Sequence, residues 1–305
     1  MQRREPIYLN INKDKEEEYL EWARKSLQNC YACPRHCGVN RYKNQSGHCK
    51  IGQYARVSSA FPHFGEESCL VGWHGSGTIF FSGCNLNCVF CQNYEISQYP
   101  SGAECSAEII AEMMLNLQSL GCHNINLVTP SHVIPQIIEV LIIAKRSGLQ
   151  IPIVYNTNAY DNIESLKILE NWIDIYMPDI KYWEEETACK YSNAKNYPDI
   201  AKESIKEMHR QVGDLIINSD GIAQRGLLVR HLVMPGLIHE TKEILKWIAS
   251  DISKNTYINI MGQYRPTYKV PHNPCYLKIS RRPMREEIEE VIHFSKLCGL
   301  TRIAE

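Results

Sequence analysis

The chain has 305 residues, of which 44% are hydrophobic and 22% charged, with a formal net charge of −1. That length holds one large α/β domain with a small appendage and buries a substantial core. The near-neutral balance offers no basic stripe for a nucleic acid, and the longest apolar runs, such as Val140 to Ala144, are far too short to span a membrane.

Met1 to Leu20 is charged and lacks an apolar h-region, so no secretory signal is expected. Thirteen cysteines in such a chain read as metal ligands and reduced thiols of a cytoplasmic protein, not as a disulfide framework. Residues 13–28 carry a solvated helical pattern with Tyr19, Leu20, Trp22, Ala23 and Leu27 on the buried side. Four cysteines follow within 20 residues, Cys30, Cys33, Cys37 and Cys49, with Pro34, Gly38 and Gly47 between them. Such a set can close around a metal, and both a four-thiolate zinc site and a second iron–sulfur cluster are chemically permitted. Residues 1–76 are taken as an N-terminal Cys-rich metal-binding module and 77–305 as the main domain.

The β-like run Thr78-Ile79-Phe80-Phe81-Ser82 leads into Gly83-Cys84-Asn85-Leu86-Asn87-Cys88-Val89-Phe90-Cys91. A loop this short can turn three sulfurs toward one point, and Gly83 allows the tight backbone turn. Three thiolates suit a [4Fe-4S] cluster, which normally takes four cysteines. The missing fourth leaves one iron open, as a catalytic zinc keeps an open position. That iron can take the amino and carboxylate groups of S-adenosylmethionine (SAM), a cofactor of radical reactions. A buried cysteine cluster or a zinc loop is the plainer alternative.

Beyond the loop, apolar runs at 77–82, 124–128, 151–156, 174–177, 227–233 and 256–261 alternate with helical patterns near 106–120, 133–147, 163–171, 200–212, 239–251 and 284–298. The alternation predicts parallel strands with helices outside. Six units are too few for an eight-fold barrel, so an open, partial (β/α)6 TIM-like barrel is expected. In such folds ligands bind at the carboxyl ends of the strands. Those ends carry Thr129-Pro130-Ser131-His132, Asn156-Thr157-Asn158, Asp179 and Lys181, Arg230, and Gly262-Gln263-Tyr264. Thr129, Asn156 and Asn158 read equally as helix caps or turns, Asp179 and Lys181 as a surface ion pair, and His132 as a solvated helix-start residue.

The cysteine loop, with Phe90 inside it and Asn93 after it, resembles the cluster loop of radical SAM enzymes, and among these the pyruvate formate-lyase activating enzymes. The likeness covers roughly residues 77–270, with Thr157-Asn158, Asp179-x-Lys181, Arg230 and Pro235-Gly236 falling on similar positions. It implies that Cys84, Cys88 and Cys91 hold the [4Fe-4S] cluster and that Phe90 packs near the adenine. SAM contacts are expected from Phe90, Asn93, Thr129, Ser131, Asn156, Asn158, Asp179, Lys181, Arg230 and Gln263. The chain departs from the activases at Pro130-Ser131-His132, where a Gly-Gly-Glu segment usually holds the SAM amino group, at Asn156, and at Tyr264.

The chemistry implied is one-electron cleavage of SAM and hydrogen abstraction by a 5′-deoxyadenosyl radical, with no catalytic side chain beyond the cluster ligands. A flavodoxin- or ferredoxin-like reductant and a protein or peptide substrate are the expected partners, with neither nucleic acid nor membrane. A small-molecule substrate, or a non-enzymatic iron–sulfur electron carrier, are the alternatives.

Overall fold

The computed structural model describes residues 4–99 and 101–304. Its centre is one sheet. The first strand, β1 (Ala55–His63), runs antiparallel to β2 (Ser76–Phe81), and β3 (Ala103–Cys105) pairs antiparallel with β1 on its far side. From β2 the sheet continues in parallel through β4 (Ile125–Val128), β5 (Ile153–Thr157), β6 (Ile175–Pro178), β8 (Ala223–Leu232) and β9 (Tyr257–Met261), while the short β7 (Ile216–Ile217) pairs with β8. The six parallel strands are those expected of an open (β/α)6 barrel. Among the described residues no ladder joins β9 back to β2.

The parallel strands are short apolar runs because both their faces are covered; every residue of β5 and β6 is buried. Helices α4 (Ala107–Ser119), α5 (Ile134–Arg146), α6 (Ile163–Ile168), α8 (Tyr197–Val212), α9 (Ile238–Trp247) and α10 (Arg285–Leu297) lie where the 3.6-residue pattern puts them. The N-terminal helix α1 (Lys13–Gln28), capped by Asn12, packs on the outside of α5. There Glu16, only 2% exposed, pairs with Lys145 at 2.8 Å and Arg146 at 2.6 Å.

The sheet also holds what the periodicity does not show. Strand β1 lies N-terminal to residue 76, so that division separates two hydrogen-bonded strands. After β1 the chain turns into α2 (Ser68–Val71), which plugs the lower end of the barrel. Cys69 and Leu70 pack there against Val154, Ile175, Met177 and Leu228, and Asn124 donates its amide to the Leu70 carbonyl at 2.9 Å. The adjacent Glu67 accepts from Asn259 of β9 at 2.8 Å, tying the plug to the open side.

Candidate functional site

The cysteine loop leaves β2 through Gly83, whose φ of +80° suits glycine alone. A Cβ there would stand 2.6 Å from the Cys49 carbonyl oxygen. The loop is held on three sides. Gly83 N–H donates to the Ile96 carbonyl within the short α3 (Tyr94–Ser97). Asn87 and Val89 donate to the carbonyls of Ser192 and Tyr191, at the end of α7 (Glu185–Ser192), and Lys269 donates to the Val89 carbonyl. From the N-terminal module, Arg35 donates to the Asn85 carbonyl at 2.7 Å, and the His48 ring meets Asn87 Oδ1 at 3.0 Å.

The thiols of Cys84 and Cys88 receive hydrogen bonds that favour thiolate, and that of Cys91 meets a hydroxyl. Leu86 N–H and Asn158 Nδ2 point at Cys84 Sγ at 3.3 and 3.5 Å, Ser192 Oγ donates to Cys88 Sγ at 3.0 Å, and Ser97 Oγ lies 3.2 Å from Cys91 Sγ. Without a metal, burial pushes the Cys88 thiol up to about 11 and raises that of Cys84 further. A bound cation reverses that preference, since ligand thiols are deprotonated outright.

Below the loop opens a cavity of about 470 Å³. Cys84, Cys88 and Cys91 line it together with Phe90, Asn93, Thr129, Asn156, Asn158, Asp179, Lys181, Arg230 and Gln263. Its wall carries a half-buried charge network. Asp179 accepts from Arg230 Nε at 2.7 Å on one oxygen and from Lys181 Nζ at 2.8 Å on the other. Burial alone opposes the charge, but Arg230 and Lys181 outweigh it and hold the carboxyl below the usual carboxylate range. Arg230 also donates to Asn156 Oδ1 at 2.7 Å and to Glu66 Oε2 at 3.2 Å. The pair Asp179–Lys181 is therefore part of the cavity wall, not a surface pair.

Ser131 is the exception among the expected contacts. It is fully buried, shares a 2.9 Å hydrogen bond with Thr157 Oγ1 and does not line the cavity. Thr129 takes a left-handed φ of +59°, which turns the following residues into the barrel wall. His132 is turned in as well. Its Nε2 meets the Ser82 carbonyl at 2.8 Å and burial lowers its pKa to about 4, so it is a neutral core group and not a solvated one. Tyr264 is likewise buried; it packs edge-on against Phe90 and donates to the Ile279 carbonyl at 2.6 Å.

Several residues that shape the site carried no sequence signal. His63, the last residue of β1, and Glu66, in the β1–α2 turn, line the cavity. Asn85 accepts from Asn158 Nδ2 at 2.8 Å and donates to the Tyr160 carbonyl at 2.6 Å, fixing the loop on β5. Behind the loop, Cys30, Cys33 and Cys49 are buried and Cys37 half-buried. The buried Arg41 donates to Cys30 Sγ at 3.0 Å and to the His132 carbonyl at 3.0 Å. Burial and the neighbouring thiols push Cys33 up to about 12. Among the described residues no group of three or more Cys, His, Asp or Glu is gathered at metal-ligand spacing, and this holds for Cys84, Cys88 and Cys91 as for the N-terminal four.

A sequence model of the radical SAM superfamily matches residues 78–248. The chain belongs to the radical SAM superfamily. An uncharacterized protein of Methanocaldococcus jannaschii is 33% identical over 93% of this chain and 79% of its own length. Among solved structures, HydG, a maturase of the [FeFe]-hydrogenase, is 14% identical over 97% of this chain and 58% of its own, with a TM-score of 0.51; that likeness shows the fold. SuiB of Streptococcus suis, bound to its precursor peptide SuiA, is 13% identical over 70% of this chain and 44% of its own, with a TM-score of 0.49. The chain thus spans less than two thirds of both solved proteins.

Membership of the radical SAM superfamily brings a [4Fe-4S] cluster, SAM and enzymatic radical chemistry. The donor set fits in kind and not yet in spacing: three thiols on one loop line one cavity, whose wall carries both signs of charge. No helix among the described residues is long and apolar enough to cross a membrane.

Proposed function

We propose that this protein cleaves SAM reductively at a cluster held by Cys84, Cys88 and Cys91 and abstracts hydrogen from a protein or peptide segment, in the manner of the glycyl-radical activating enzymes. Cys84, Cys88 and Cys91 would hold the cluster, which when bound would supply the electron that splits SAM into methionine and a 5′-deoxyadenosyl radical. The chain's own residues bind and orient. Phe90, Asn93 and Gln263 would face the nucleoside, Asn156 would offer its amide N–H to the ribose hydroxyls, Asn158 fixes the cluster loop through Cys84 and Asn85, and Lys181 and Arg230 would offer positive charge to the carboxylate of the methionine part. A flavodoxin- or ferredoxin-like carrier is the reductant this chemistry needs.

The observation that carries the reading is the cavity: about 470 Å³, toward the lower end of the roughly 300–1,000 Å³ that encloses one drug-sized ligand. A bound SAM would take up much of that space, which favours a hydrogen donor presented at the cavity mouth. The Asp179-x-Lys181 and Arg230 positions shared with activating enzymes support the same reading. A bare electron carrier has no use for this charged cavity beside its cluster. We assign the four N-terminal cysteines to a second metal, zinc or iron–sulfur, with Arg41 offsetting its thiolate charge.

The test is where the abstracted hydrogen comes from. Host-cell extract grown in deuterated medium is split into macromolecular and low-molecular-weight fractions, and each is added to the reconstituted enzyme with SAM and dithionite. Deuterium in 5′-deoxyadenosine from the macromolecular fraction supports the proposal. Transfer from the small-molecule fraction alone overturns it in favour of a small substrate.

A further inference from the structure

We propose that Glu66, delivered from the N-terminal side of the barrel, is the acceptor for the amino group of SAM in this chain. The inference rests on the SAM-binding reading above and deepens it. The segment after β4, Pro130-Ser131-His132, contains no carboxylate, and both Ser131 and His132 are fully buried in the wall. Among the described residues two carboxylates line the cavity, Asp179 and Glu66. Asp179 has one oxygen engaged by Arg230 and the other by Lys181. Glu66 gives Oε2 to Arg230 at 3.2 Å, while Oε1 accepts no hydrogen bond and stands 3.8 Å from His63 Nδ1. Among the described residues that oxygen has the His63 ring as an ion-pair neighbour and no hydrogen-bond donor.

Its position is fixed by the fold. The neighbouring Glu67 is bonded to Asn259 of β9, and α2 is held in the barrel floor by Asn124, so Glu66 cannot withdraw with a loose loop. Charge argues in the same direction. The carboxylates of Asp179 and Glu66 in the cavity wall, with Glu67 beside them, meet the cations of Arg230 and Lys181 and the His63 ring in a half-buried layer. A buried carboxylate lacking a full partner is stabilised by a ligand cation or a polarised N–H donor. Burial raises the Glu66 carboxyl, as expected of a group still short of a partner. The amino group of SAM is the donor of that kind the chemistry brings to this cavity, and even on iron it keeps N–H groups to donate.

The experiment measures equilibrium binding, by calorimetry on the anaerobically reconstituted holoenzyme, of SAM and of the SAM analogue lacking the α-amino group. In the wild type, removing the amino group is expected to weaken binding at least ten- to a hundredfold, the loss of a charge-assisted hydrogen bond together with the amino group's own bond to iron. In Glu66→Gln, SAM is weakened about tenfold while the analogue is unchanged, so the ratio between the two ligands narrows by that factor. A variant that keeps the wild-type ratio between SAM and the analogue overturns the assignment, even if both bind more weakly, because that pattern reports a disturbed Arg230. A wild-type holoenzyme that binds no SAM at all removes the SAM reading itself, an outcome distinct from a changed ratio.

Discussion

The backbone of Cys49 closes against Gly83, so that a Cβ on Gly83 would lie 2.6 Å from the Cys49 carbonyl oxygen. The N-terminal cysteine module is thereby part of the mould that shapes the cluster loop. Gly83→Ala combines a left-handed φ with a clash against backbone. The strain costs about 1–2 kcal/mol and the clash adds to it. Reconstituted variant is expected to unfold several degrees lower and to bind substoichiometric iron, checked by calorimetry and iron counting.

Asp179 is the carboxylate that neutralises Lys181 and shares Arg230 with Glu66. Asp179→Asn leaves a half-buried ammonium without its counter-charge, a loss on the order of 1–2 kcal/mol, below that of a fully buried pair. Urea unfolding of the apoprotein should show that loss, and SAM binding to the holoenzyme should fall below detection. A variant as stable as wild type would place the pair in solvent.

His231 is buried, with Nδ1 meeting the Ile180 carbonyl at 2.7 Å and Nε2 meeting Thr241 Oγ1 at 2.8 Å. Burial depresses its pKa to about 4 from the ordinary 6.5. The unfolded chain therefore takes up the proton first, and stability present above pH 6.5 is lost as pH falls toward 4. At about 1.4 kcal/mol per pH unit the loss is about 3 kcal/mol. Denaturant titrations between pH 7 and 4 should show His231→Gln less stable at pH 7 but flatter with acid. Parallel curves would contradict a neutral buried imidazole.

The second metal is tested by counting. Cys33→Ala should lower zinc, or iron beyond four atoms, while the cluster signal of the main loop persists in electron paramagnetic resonance. Unchanged metal content in Cys33→Ala would leave four structural thiols around Arg41.

The parts of the fold legible in the sequence are those that write a period into the chain. Strands buried on both faces leave apolar runs, and the outer helices leave an amphipathic one, so the six parallel strands and their helices stand out. Strand β1 does not, because Arg56, Ser58 and Ser59 interrupt it and much of it is only half covered. The three-cysteine loop was legible because its ligands are local. Ser131 and His132 were misplaced because a single left-handed residue, Thr129, redirects the chain below the strand end. Glu66 could not be found at all: its partner Arg230 is 164 residues away, and only the folded barrel brings β1 and β8 to one cavity.

Anaerobic reconstitution with iron and sulfide, followed by dithionite and SAM and chromatography for 5′-deoxyadenosine, tests the cluster assignment most directly, with Cys88→Ala beside the wild type. Wild-type enzyme should form 5′-deoxyadenosine, and Cys88→Ala should form none while keeping its fold. A wild type that holds its cluster yet forms no 5′-deoxyadenosine, with no change in the cluster spectrum on adding SAM, would contradict radical SAM chemistry at this loop.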